Sequence, residues 1–422
     1  MKLSDYKTLY IQNKNFKNLF NANLISLFGD WFNFIAITSI LLSLSDDSSI
    51  VAYMFIIHLL PYVFFTTSGG VLADKMSRRK IMMVSDIARA IIVGAILIAV
   101  FLKSVAAILV LLFLEYTFAA FFEPSRSAIV PNLVAKKDLY TANAALSTVW
   151  SLMMAFGMAL GGLVVYLFNA EVALIIDAFT YVLSFIYIKK IRVEETHILP
   201  GFTLKLKELF NFKEVKEAIL YIRNNVYLLP IVLSKGALEI YVGAFIFLLT
   251  LYGEQKFLVL GSGALGMGLL QTMRGIGTGI GPILSRRIFK TTLGDYYSLW
   301  MGLLIAPIGY FFLSLTDSFL LALLCVLIAH IGGSANWVTS EQLIHQLVPD
   351  GFRGRVVSFE FVFLTLTMSL SVKYGAILIE TYHYSLEYST QIMSYVGVIT
   401  AIGWAFLTVS VAKPFKRFIK TI

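Results

Sequence analysis

Twelve apolar stretches alternate along the chain with short polar segments. A helix needs ~20 residues to cross ~30 Å of hydrocarbon, and each stretch has close to that length. No alternation in segments of roughly ten residues, typical of membrane-spanning strands, interrupts the pattern. The pattern therefore predicts an all-α membrane protein with twelve transmembrane helices. They are expected at 20–44, 50–72, 80–102, 104–124, 141–168, 172–189, 227–251, 261–285, 296–314, 318–341, 356–380 and 391–412.

The cations between these spans predict the orientation of the chain. With the N-terminus in the cytoplasm, most of the 34 Lys and Arg residues lie in cytoplasmic segments. The opposite loops hold only Lys103 and Lys256. Because short cytoplasmic loops carry an excess of Lys and Arg, both termini are expected inside and the protein in the inner (plasma) membrane. The net charge of +9 then reflects topology, and no nucleic-acid partner is expected.

Composition excludes several classes of protein. The chain is 58% hydrophobic and 14% charged, whereas soluble domains have ~25% charged residues. Its one cysteine, Cys325, leaves no disulfide framework, and the His residues show no metal-ligand spacing. No phosphate-binding glycine loop is present. Neither a cofactor, a metal nor ATP is expected, and a membrane-embedded enzyme or sensor, which needs a catalytic constellation, is the disfavoured alternative.

The longest polar segment, 189–226, divides the spans six and six. It separates an N-terminal half, 1–188, from a C-terminal half, 227–422, and joins them as a cytoplasmic linker. Helical spacing in it predicts an amphipathic surface helix that links the halves, with a partner-binding site as the alternative; the helix is formed by Val215, Ala218, Ile219 and Ile222. The halves echo each other, since the segments that end spans 2 and 8, 70–74 and 281–285, both precede Arg-rich turns. Two related six-helix halves are a plan used by membrane transporters, with the substrate between them.

The turn after span 2 carries the most specific motif. Its sequence is Gly-Val-Leu-Ala-Asp-Lys-Met-Ser-Arg-Arg-Lys over residues 70–80. It resembles the signature loop of the major facilitator superfamily, with matches at Gly70, Leu72, Asp74, Arg78, Arg79 and Lys80. Lys75 stands for an arginine and Ser77 for a glycine. The resemblance implies the major facilitator fold, with two pseudo-symmetric halves.

Other segments resemble the macrolide-efflux and enterobactin-exporter branch of that superfamily. They are Asp86 and Arg89, Pro124 and Pro131, residues 212–225, and the segment 348–356 before span 11. In span 5, residues 157–162 resemble an antiporter motif, with Met158 in place of proline. Close packing of small residues is the other interpretation of that motif. The chain departs from the family at Glu115, where many relatives carry an arginine linked to proton coupling, and at Ser285, which replaces the second signature aspartate.

The resemblance also implies a gate. In the superfamily, the aspartate of the signature loop pairs with cations and a helix start in the opposite half, which stabilises the outward-facing state. Asp74 would have this role here, with Gly70, Arg78, Arg79 and Lys80 around it. Arg353 and Arg355 before span 11 are the expected partners. Topology alone also accounts for these cations.

Ionisable residues within spans are the other candidates, because a charge at a helix centre costs at least ~2.5–3.5 kcal/mol. Asp30 in span 1 and Glu115 in span 4 are predicted proton-coupling or substrate-binding groups, with a structural hydrogen bond as the alternative for Asp30. A low-dielectric environment favours the neutral form of a carboxyl group, so such a group can take up and release protons.

The second half contributes four candidates. Lys235 and Glu239 lie four residues apart on span 7 and are expected to pair across one turn, or to bind a charged substrate. Arg274 in span 8 and Lys373 in span 11 are expected to meet an anionic substrate group. Asp177 and Glu360 are expected to be structural, and Asp86 is expected to pair with Arg89.

The sequence thus predicts a secondary transporter working by alternating access. Proton-driven export of an amphipathic small molecule, a drug or a siderophore-type metallophore, is the leading hypothesis. Its expected partners are that molecule, protons and the lipid bilayer. Lysophospholipid or metal-ion transport on the same fold remains the alternative.

Overall fold

The computed structural model describes residues 3–45, 47–195, 198 and 213–419. Over these ranges the chain is helical, and an isolated bridge between Val259 and Ser262 is the one β-type pairing. The α-helices are α1 Leu3–Gln12, α2 Lys14–Leu44, α3 Ser49–Lys75, α4 Arg78–Phe101, α5 Val105–Leu133, α6 Leu139–Leu167, α7 Ala170–Lys189, α8 Lys213–Asn224, α9 Leu229–Val232, α10 Ser234–Leu251, α11 Gly263–Ile288, α12 Thr292–Ser314, α13 Phe319–Leu347, α14 Asp350–Glu380, α15 Leu386–Ser410 and α16 Ala412–Ile419.

Eleven helical segments of the described chain are long and apolar enough to cross a membrane. The remaining predicted span, 261–285, is α11. Its 26 residues suffice in length, because each adds 1.5 Å of rise. It is the least apolar of the twelve because Gln271 and Arg274 interrupt a glycine-rich sequence. The predicted all-α membrane architecture is confirmed, with α11 more polar than its eleven counterparts.

Span 7 is interrupted near its start. The predicted segment 227–251 begins with a 3₁₀ turn, Val226–Leu228, followed by the short helix α9, whose first turn contains Pro230. Proline suits a first helical turn because its missing N–H would have no intrahelical partner there. The long helix α10 then begins at Ser234, which places Lys235 in its first turn.

The chain forms two compact units. Unit 1 comprises Met1–Asp46, Ile56–Asn211 and Leu258–Gly268, and unit 2 comprises Asp47–Phe55, Phe212–Phe257 and Leu269–Ile422. In unit 1, α2 packs against α6 and α7, while α4 packs against α5 and α7. In unit 2, α10 packs against α14 and α15, while α12 packs against α13 and α15. These pairings occur in the same order along each half, so the two units repeat one helix arrangement.

Helix α7 shows how these helices are adapted to lipid. Asp177, Tyr181 and Ser184 are buried on one face. The other face is apolar and exposed, with Ile175, Phe179, Leu183 and Ile186. Polar groups inside and apolar groups outside are typical of a membrane helix, since ionisable side chains avoid hydrocarbon. The face of α7 that points into unit 1 therefore carries its chemistry.

The glycines of the predicted antiporter motif lie at helix contacts. A Cβ at Gly157 would lie 2.8 Å from the Cβ of Trp31 on α2, and one at Gly162 would lie 2.6 Å from the carbonyl oxygen of Ala264. Gly161 faces the backbone of Phe32. Small residues allow such close approach, so these positions have a packing role in unit 1.

The linker contributes helix α8, which packs against α14. The ring of Tyr221 stacks on Phe352 with centroids 4.5 Å apart. Ala218 and Ile222 are buried, whereas Ile219 is 47% exposed. At about 100° per residue, Ile219 lies at the side of the stripe formed by its neighbours. Residues 196–197 and 199–212 of the predicted linker lie outside the described chain.

Candidate functional site

Four helices of unit 1 bring acidic residues together, three of which are buried. The acidic cluster consists of Asp30 on α2, Asp86 on α4, Glu115 on α5 and Asp177 on α7, with Arg89 on α4 as its cation. Helix α2 approaches α7 at Gly29, where a Cβ would overlap the side chains of Thr180 and Asp177. A glycine is therefore needed beside Asp30, and it lets the two helices share their polar groups.

The hydroxyl group of Tyr181 bridges two carboxyl groups of this cluster. It lies 2.6 Å from Oδ1 of Asp30 and 3.0 Å from Oε1 of Glu115. A phenol has one hydrogen to donate but can also accept. Both contacts are hydrogen bonds when one carboxyl group is protonated and donates to the phenolic oxygen. The geometry therefore accommodates one proton shared among three side chains.

The amide of Asn33 extends the network to α7. Its Nδ2 donates to Oε1 of Glu115 at 3.1 Å and to Oδ2 of Asp177 at 2.7 Å. Both amide hydrogens are then used, and Oε2 of Glu115 is buried without a partner in the described chain. Asp177, expected to be structural, is thus joined to the predicted proton carrier Glu115.

Arg89 supplies the positive charge of the cluster. Its guanidinium group lies 2.5 Å from Asp86 and 3.8 Å from Asp30, which confirms the predicted Asp86–Arg89 pair. It also lies 4.2 Å from the ring centroid of Tyr181 and 4.7 Å from that of Phe122. A cation over aromatic faces is attracted by their quadrupoles, so Arg89 has a fixed position between α4, α5 and α7.

Unit 2 contains a buried ion pair around Lys235. The ammonium group lies 3.2 Å from Glu360 on α14 and 3.9 Å from Glu341 on α13. The predicted pairing with Glu239, one turn away, is therefore wrong. Lys235 and Glu360 are 6% and 4% exposed, and the second oxygen of Glu360 accepts from the hydroxyl of Ser340 at 3.2 Å. Packing of three helices, rather than spacing within one, decides the partner of Lys235.

Two further predicted residues of unit 2, Glu239 on α10 and Arg274 on α11, have different surroundings. Glu239 is 5% exposed, and no salt bridge joins it to another residue of the described chain. Nη1 of Arg274 donates to Oε1 of the fully buried Gln271 at 3.2 Å.

Lys373 on α14 has its own partner in unit 2. It is exposed, and its ammonium group lies 3.3 Å from the hydroxyl of Tyr53 and 4.9 Å from the ring centroid. The segment 47–55 that carries Tyr53 belongs to unit 2. Lys373 thus remains accessible, and its role toward an anionic substrate group stays a prediction.

The signature loop, residues 70–80, comprises the end of α3, a two-residue turn and the start of α4. Arg78 is tied to the end of α5, because Nη1 donates to the carbonyl of Ala128 at 2.9 Å and to Oδ1 of Asn132 at 2.7 Å. Asp74 is 75% exposed and lies 3.7 Å from Arg78. A Cβ at Gly70 would meet no described atom within 4 Å. Arg78 thus anchors the loop, while Asp74 remains accessible.

The other basic residues of the loop differ in their surroundings. Arg79 donates to the carbonyl of Lys189 at the end of α7, at 2.9 Å, and Lys80 is exposed. In unit 2, Arg353 donates to the carbonyls of His345 and Val348 at the end of α13. Arg355 pairs with Glu217 on α8 at 3.1 Å. The predicted gate between Asp74 and these two arginines stays a prediction.

Helix α4 is capped by a carboxylate, that of Glu195. Sequence patterns do not predict this cap. Glu195 accepts the backbone N–H of Arg78 at 2.7 Å and the hydroxyl of Ser77. A carboxylate at a helix N-terminus satisfies free N–H groups and interacts favourably with the helix dipole. The start of the linker is therefore bound to the signature loop.

Replacement of Glu195 by glutamine is expected to destabilise the first turn of α4 by about 1 kcal/mol, because the amide keeps the shape but loses the charge. Hydrogen–deuterium exchange of the peptide covering residues 77–81 measures the effect. Glu194→Gln, at the exposed neighbouring residue, is the matched control. Equal exchange in both variants would contradict a capping role for Glu195.

Sequence patterns do not predict the site contacts made by neutral side chains or by residues far apart in the chain. Tyr181 and Asn33 were missed because uncharged polar side chains are common in spans, although Asp177 and Tyr181 are four apart and share a helix face. Glu360 is 125 residues from its partner Lys235, and no sequence pattern signals that pairing. In the described chain, no group of three His, Cys, Asp or Glu side chains is placed to hold a metal ion.

Known proteins are similar to this chain over most of its length. An MFS-type transporter of Bacillus subtilis (strain 168), YkuC, is 24% identical over 95% of this chain and 93% of its own. A proposed bacilysin exporter of the same organism, BacE, is 24% identical over 84% and 86%. The crystal structure of a peptide transporter, POT, in complex with sulfate superposes with a TM-score of 0.75 at 13% identity, covering 96% of each chain.

A match to one protein family is consistent with the helix arrangement of the two units and with these relatives. Residues 19–372 match the sequence profile of the Major Facilitator Superfamily, as the signature loop predicts. The relatives are transporters rather than enzymes, and the more specific resemblance to the macrolide and enterobactin branch stays a prediction. The chain belongs to the Major Facilitator Superfamily.

Proposed function

We propose that this transporter is a proton-coupled exporter of an amphipathic small molecule. The observation that carries the proposal is the hydroxyl of Tyr181 between the carboxyl groups of Asp30 and Glu115. A site that fixes one proton among three side chains can exchange it when the surroundings of one carboxyl group change.

The proton path follows from the burial of the two carboxyl groups. The side chain of Asp30 is 33% exposed, whereas Glu115 is 3% exposed. A proton taken up by Asp30 is donated to the oxygen of Tyr181 while the phenolic hydrogen passes to Glu115. The phenol is neutral before and after this exchange. Asp30 is then left ionised beside Arg89, which stabilises its negative charge.

The direction of transport rests on sequence relationships. The relative BacE is named a proposed bacilysin exporter, and the glycines of α6 resemble an antiporter motif. In the proposed cycle, the two halves alternate access to the site, with Asp74, Arg353 and Arg355 as the gate. The protein would lie in the inner membrane with both termini in the cytoplasm, where its basic loops favour that orientation.

Inverted membrane vesicles test this proposal. Respiration acidifies their interior, and a compound that is exported in exchange for protons partly dissipates the pH gradient, which a pH-sensitive dye reports. We expect at least one compound from a panel of macrolides, catechol siderophores and lysophospholipids to do so. Tyr181→Phe is expected to slow the response roughly ten-fold or more, because it removes the group that relays the proton. Asp30→Asn and Glu115→Gln are expected to abolish it.

The exposed acid Glu171 lies on the same helix as Tyr181, so Glu171→Gln is the matched control. Uptake of a radiolabelled substrate of the panel is measured in parallel. If uptake proceeds equally with and without a pH gradient, proton coupling is wrong and transport remains. If Tyr181→Phe and Glu171→Gln both behave as the unmodified protein, the bridging hydroxyl does not relay protons.

A further inference from the structure

An apolar groove lies between α12 and α15 of unit 2, with a volume of about 330 Å³. Trp300 and Leu304 of α12 line one side, and Ile402, Phe406 and Val409 of α15 line the other. The three residues of α15 are 50%, 74% and 61% exposed, respectively. Over 401–409 the groove extends ~12 Å at 1.5 Å per residue, which approaches the ~15 Å of hydrocarbon in one leaflet. Its length and its apolar lining fit the acyl chain of a lipid.

Helix α16 carries three exposed cations on one face. Lys416 and Arg417 follow Lys413 by three and four residues, so the three side chains project from the same side of the helix. None of them forms a salt bridge or a hydrogen bond with a described residue. Like charges at these spacings repel each other, so an anionic partner stabilises this face.

The opposite face of α16 is packed against unit 2. Phe415 is fully buried, and its ring stacks on that of Tyr296 of α12 with centroids 4.0 Å apart. The ring centroid of Tyr227, in the 3₁₀ turn before α9, lies 6.3 Å from that of Phe415. At about 100° per residue, Phe415 lies on the side of α16 away from the three cations. These cations therefore have a defined position on the protein.

The groove and the cations meet at the end of α15. Val409 lies four residues before Lys413, about one helical turn away. On the other side of the groove, Trp300 lies one turn after Tyr296, on which Phe415 stacks. Helix α15 has 25 residues and a length of ~38 Å, which exceeds the ~30 Å of hydrocarbon in a bilayer. Its end therefore reaches the headgroup layer.

Two further exposed cations flank the elements that hold α16. Lys290 precedes α12 by two residues, and Arg223 precedes the 3₁₀ turn by three. Asp295, the acid in the first turn of α12, accepts a hydrogen bond from Nε2 of Gln342 on α13 at 3.4 Å. No salt bridge joins it to either cation in the described part of the chain. The surface around α16 therefore attracts anions.

We propose that the groove and the cations of α16 together bind one anionic phospholipid. Lys413, Lys416 and Arg417 contact the phosphate oxygens, which a guanidinium group binds through two parallel N–H groups, and the groove takes an acyl chain. A lipid joins both features in one molecule, whereas a soluble phosphate uses the cations alone. The inference does not depend on the proposed function, because this site lies in unit 2 and the proton relay lies in unit 1.

Native mass spectrometry of the purified full-length protein in an uncharged detergent tests the inference. Dioleoyl phosphatidylglycerol and dioleoyl phosphatidylcholine are titrated separately, and the dissociation constant of the first bound lipid is measured. We expect phosphatidylglycerol to bind about ten-fold or more tightly, because each basic side chain beside an anionic lipid strengthens binding about five-fold. Glycerophosphoglycerol, the headgroup without acyl chains, is expected not to displace the lipid at equal concentration.

A charge variant tests the cations. Lys416→Gln/Arg417→Gln is expected to lower the preference for phosphatidylglycerol about ten-fold or more. Lys136→Gln/Lys137→Gln, which removes two exposed cations of unit 1, is the matched control and is expected to keep the preference. Thermal unfolding shows that each variant is folded, and a folded Lys416→Gln/Arg417→Gln variant with an unchanged preference would overturn the role of α16.

A second variant tests the groove without changing a charge. Ala405→Phe places a ring among the groove residues and is expected to weaken phosphatidylglycerol binding about five-fold or more, because the ring excludes part of the acyl chain. Gly94→Phe is the control, since a Cβ at this position of α4 meets no described atom within 4 Å.

Three results would overturn the inference. They are equal affinity of the unmodified protein for the two lipids, equal phosphatidylglycerol binding by Ala405→Phe and Gly94→Phe, and displacement of the lipid by glycerophosphoglycerol. The last result would indicate a general anion site on α16 rather than a lipid site.

Discussion

Replacement of Lys235 by methionine is expected to destabilise the protein by about 3–5 kcal/mol, because it leaves the carboxylate of Glu360 buried without its cation. Glu360 is 4% exposed and lies 3.2 Å from the ammonium group. Ser340 continues to donate to it, but a hydroxyl group does not neutralise a charge. The midpoint of unfolding in increasing SDS, followed by circular dichroism, measures the loss.

The double variant Lys235→Met/Glu360→Met separates loss of the pair from loss of packing. Replacing both members of a buried ion pair by apolar residues of similar size is often neutral, so its stability is expected to return close to that of the unmodified protein. Lys413→Met, at an exposed lysine on α16, is the control for removing a charge. A double variant as unstable as the single one would contradict this account of the pair.

Replacement of Arg89 by methionine is expected to have a comparable effect on stability and to abolish proton-coupled transport. It removes the one cation of the acidic cluster and leaves Asp86 fully buried without its partner, which costs about 3–5 kcal/mol. It also removes the charge 3.8 Å from Asp30, which stabilises the ionised form of that residue in the proposed cycle. Unfolding in SDS and the vesicle assay measure the two effects separately.

Addition of Asp86→Asn to this variant is expected to restore much of the stability but not the transport, because Asp30 still lacks its cation. Arg126→Met is the matched control, since Arg126 also pairs three residues away, with Glu123, but the two side chains are 20% and 40% exposed. Exposed pairs contribute about 0–1 kcal/mol. Transport that recovers together with stability in the double variant would show that Arg89 acts only on the fold.

Sequence patterns predict the fold of this protein better than its polar contacts. Apolar runs predict the positions of the helices, because the thickness of the hydrocarbon layer sets the length of a spanning helix. The basic loops predict the orientation of the chain. Asp30 and Glu115 stand out in those runs because a charge is rare there. That both carboxyl groups reach one hydroxyl, on Tyr181, depends on how α2, α5 and α7 pack, and no spacing along one helix contains that information.

Lys235 is a second case in which sequence spacing does not predict a polar contact. Its sequence neighbour Glu239 is one turn away and is a reasonable partner on an isolated helix. Within unit 2, however, α14 packs on α10 and brings Glu360 to the ammonium group. Glu239 then has no salt bridge among the described residues. A contact across helices has displaced a local one.

The polar character of α11 has a consequence for how this protein is made. An arginine near the centre of a span opposes release from the translocon into lipid by ~2.5–3.5 kcal/mol, and Gln271 lies one turn before it. The backbone of α11 also approaches α13 closely, since a Cβ at Gly277 would lie 2.5 Å from the carbonyl oxygen of Leu327. We therefore expect insertion of this helix during biosynthesis to be assisted by α13, which follows it in the chain, so that these two helices enter the bilayer together rather than one at a time.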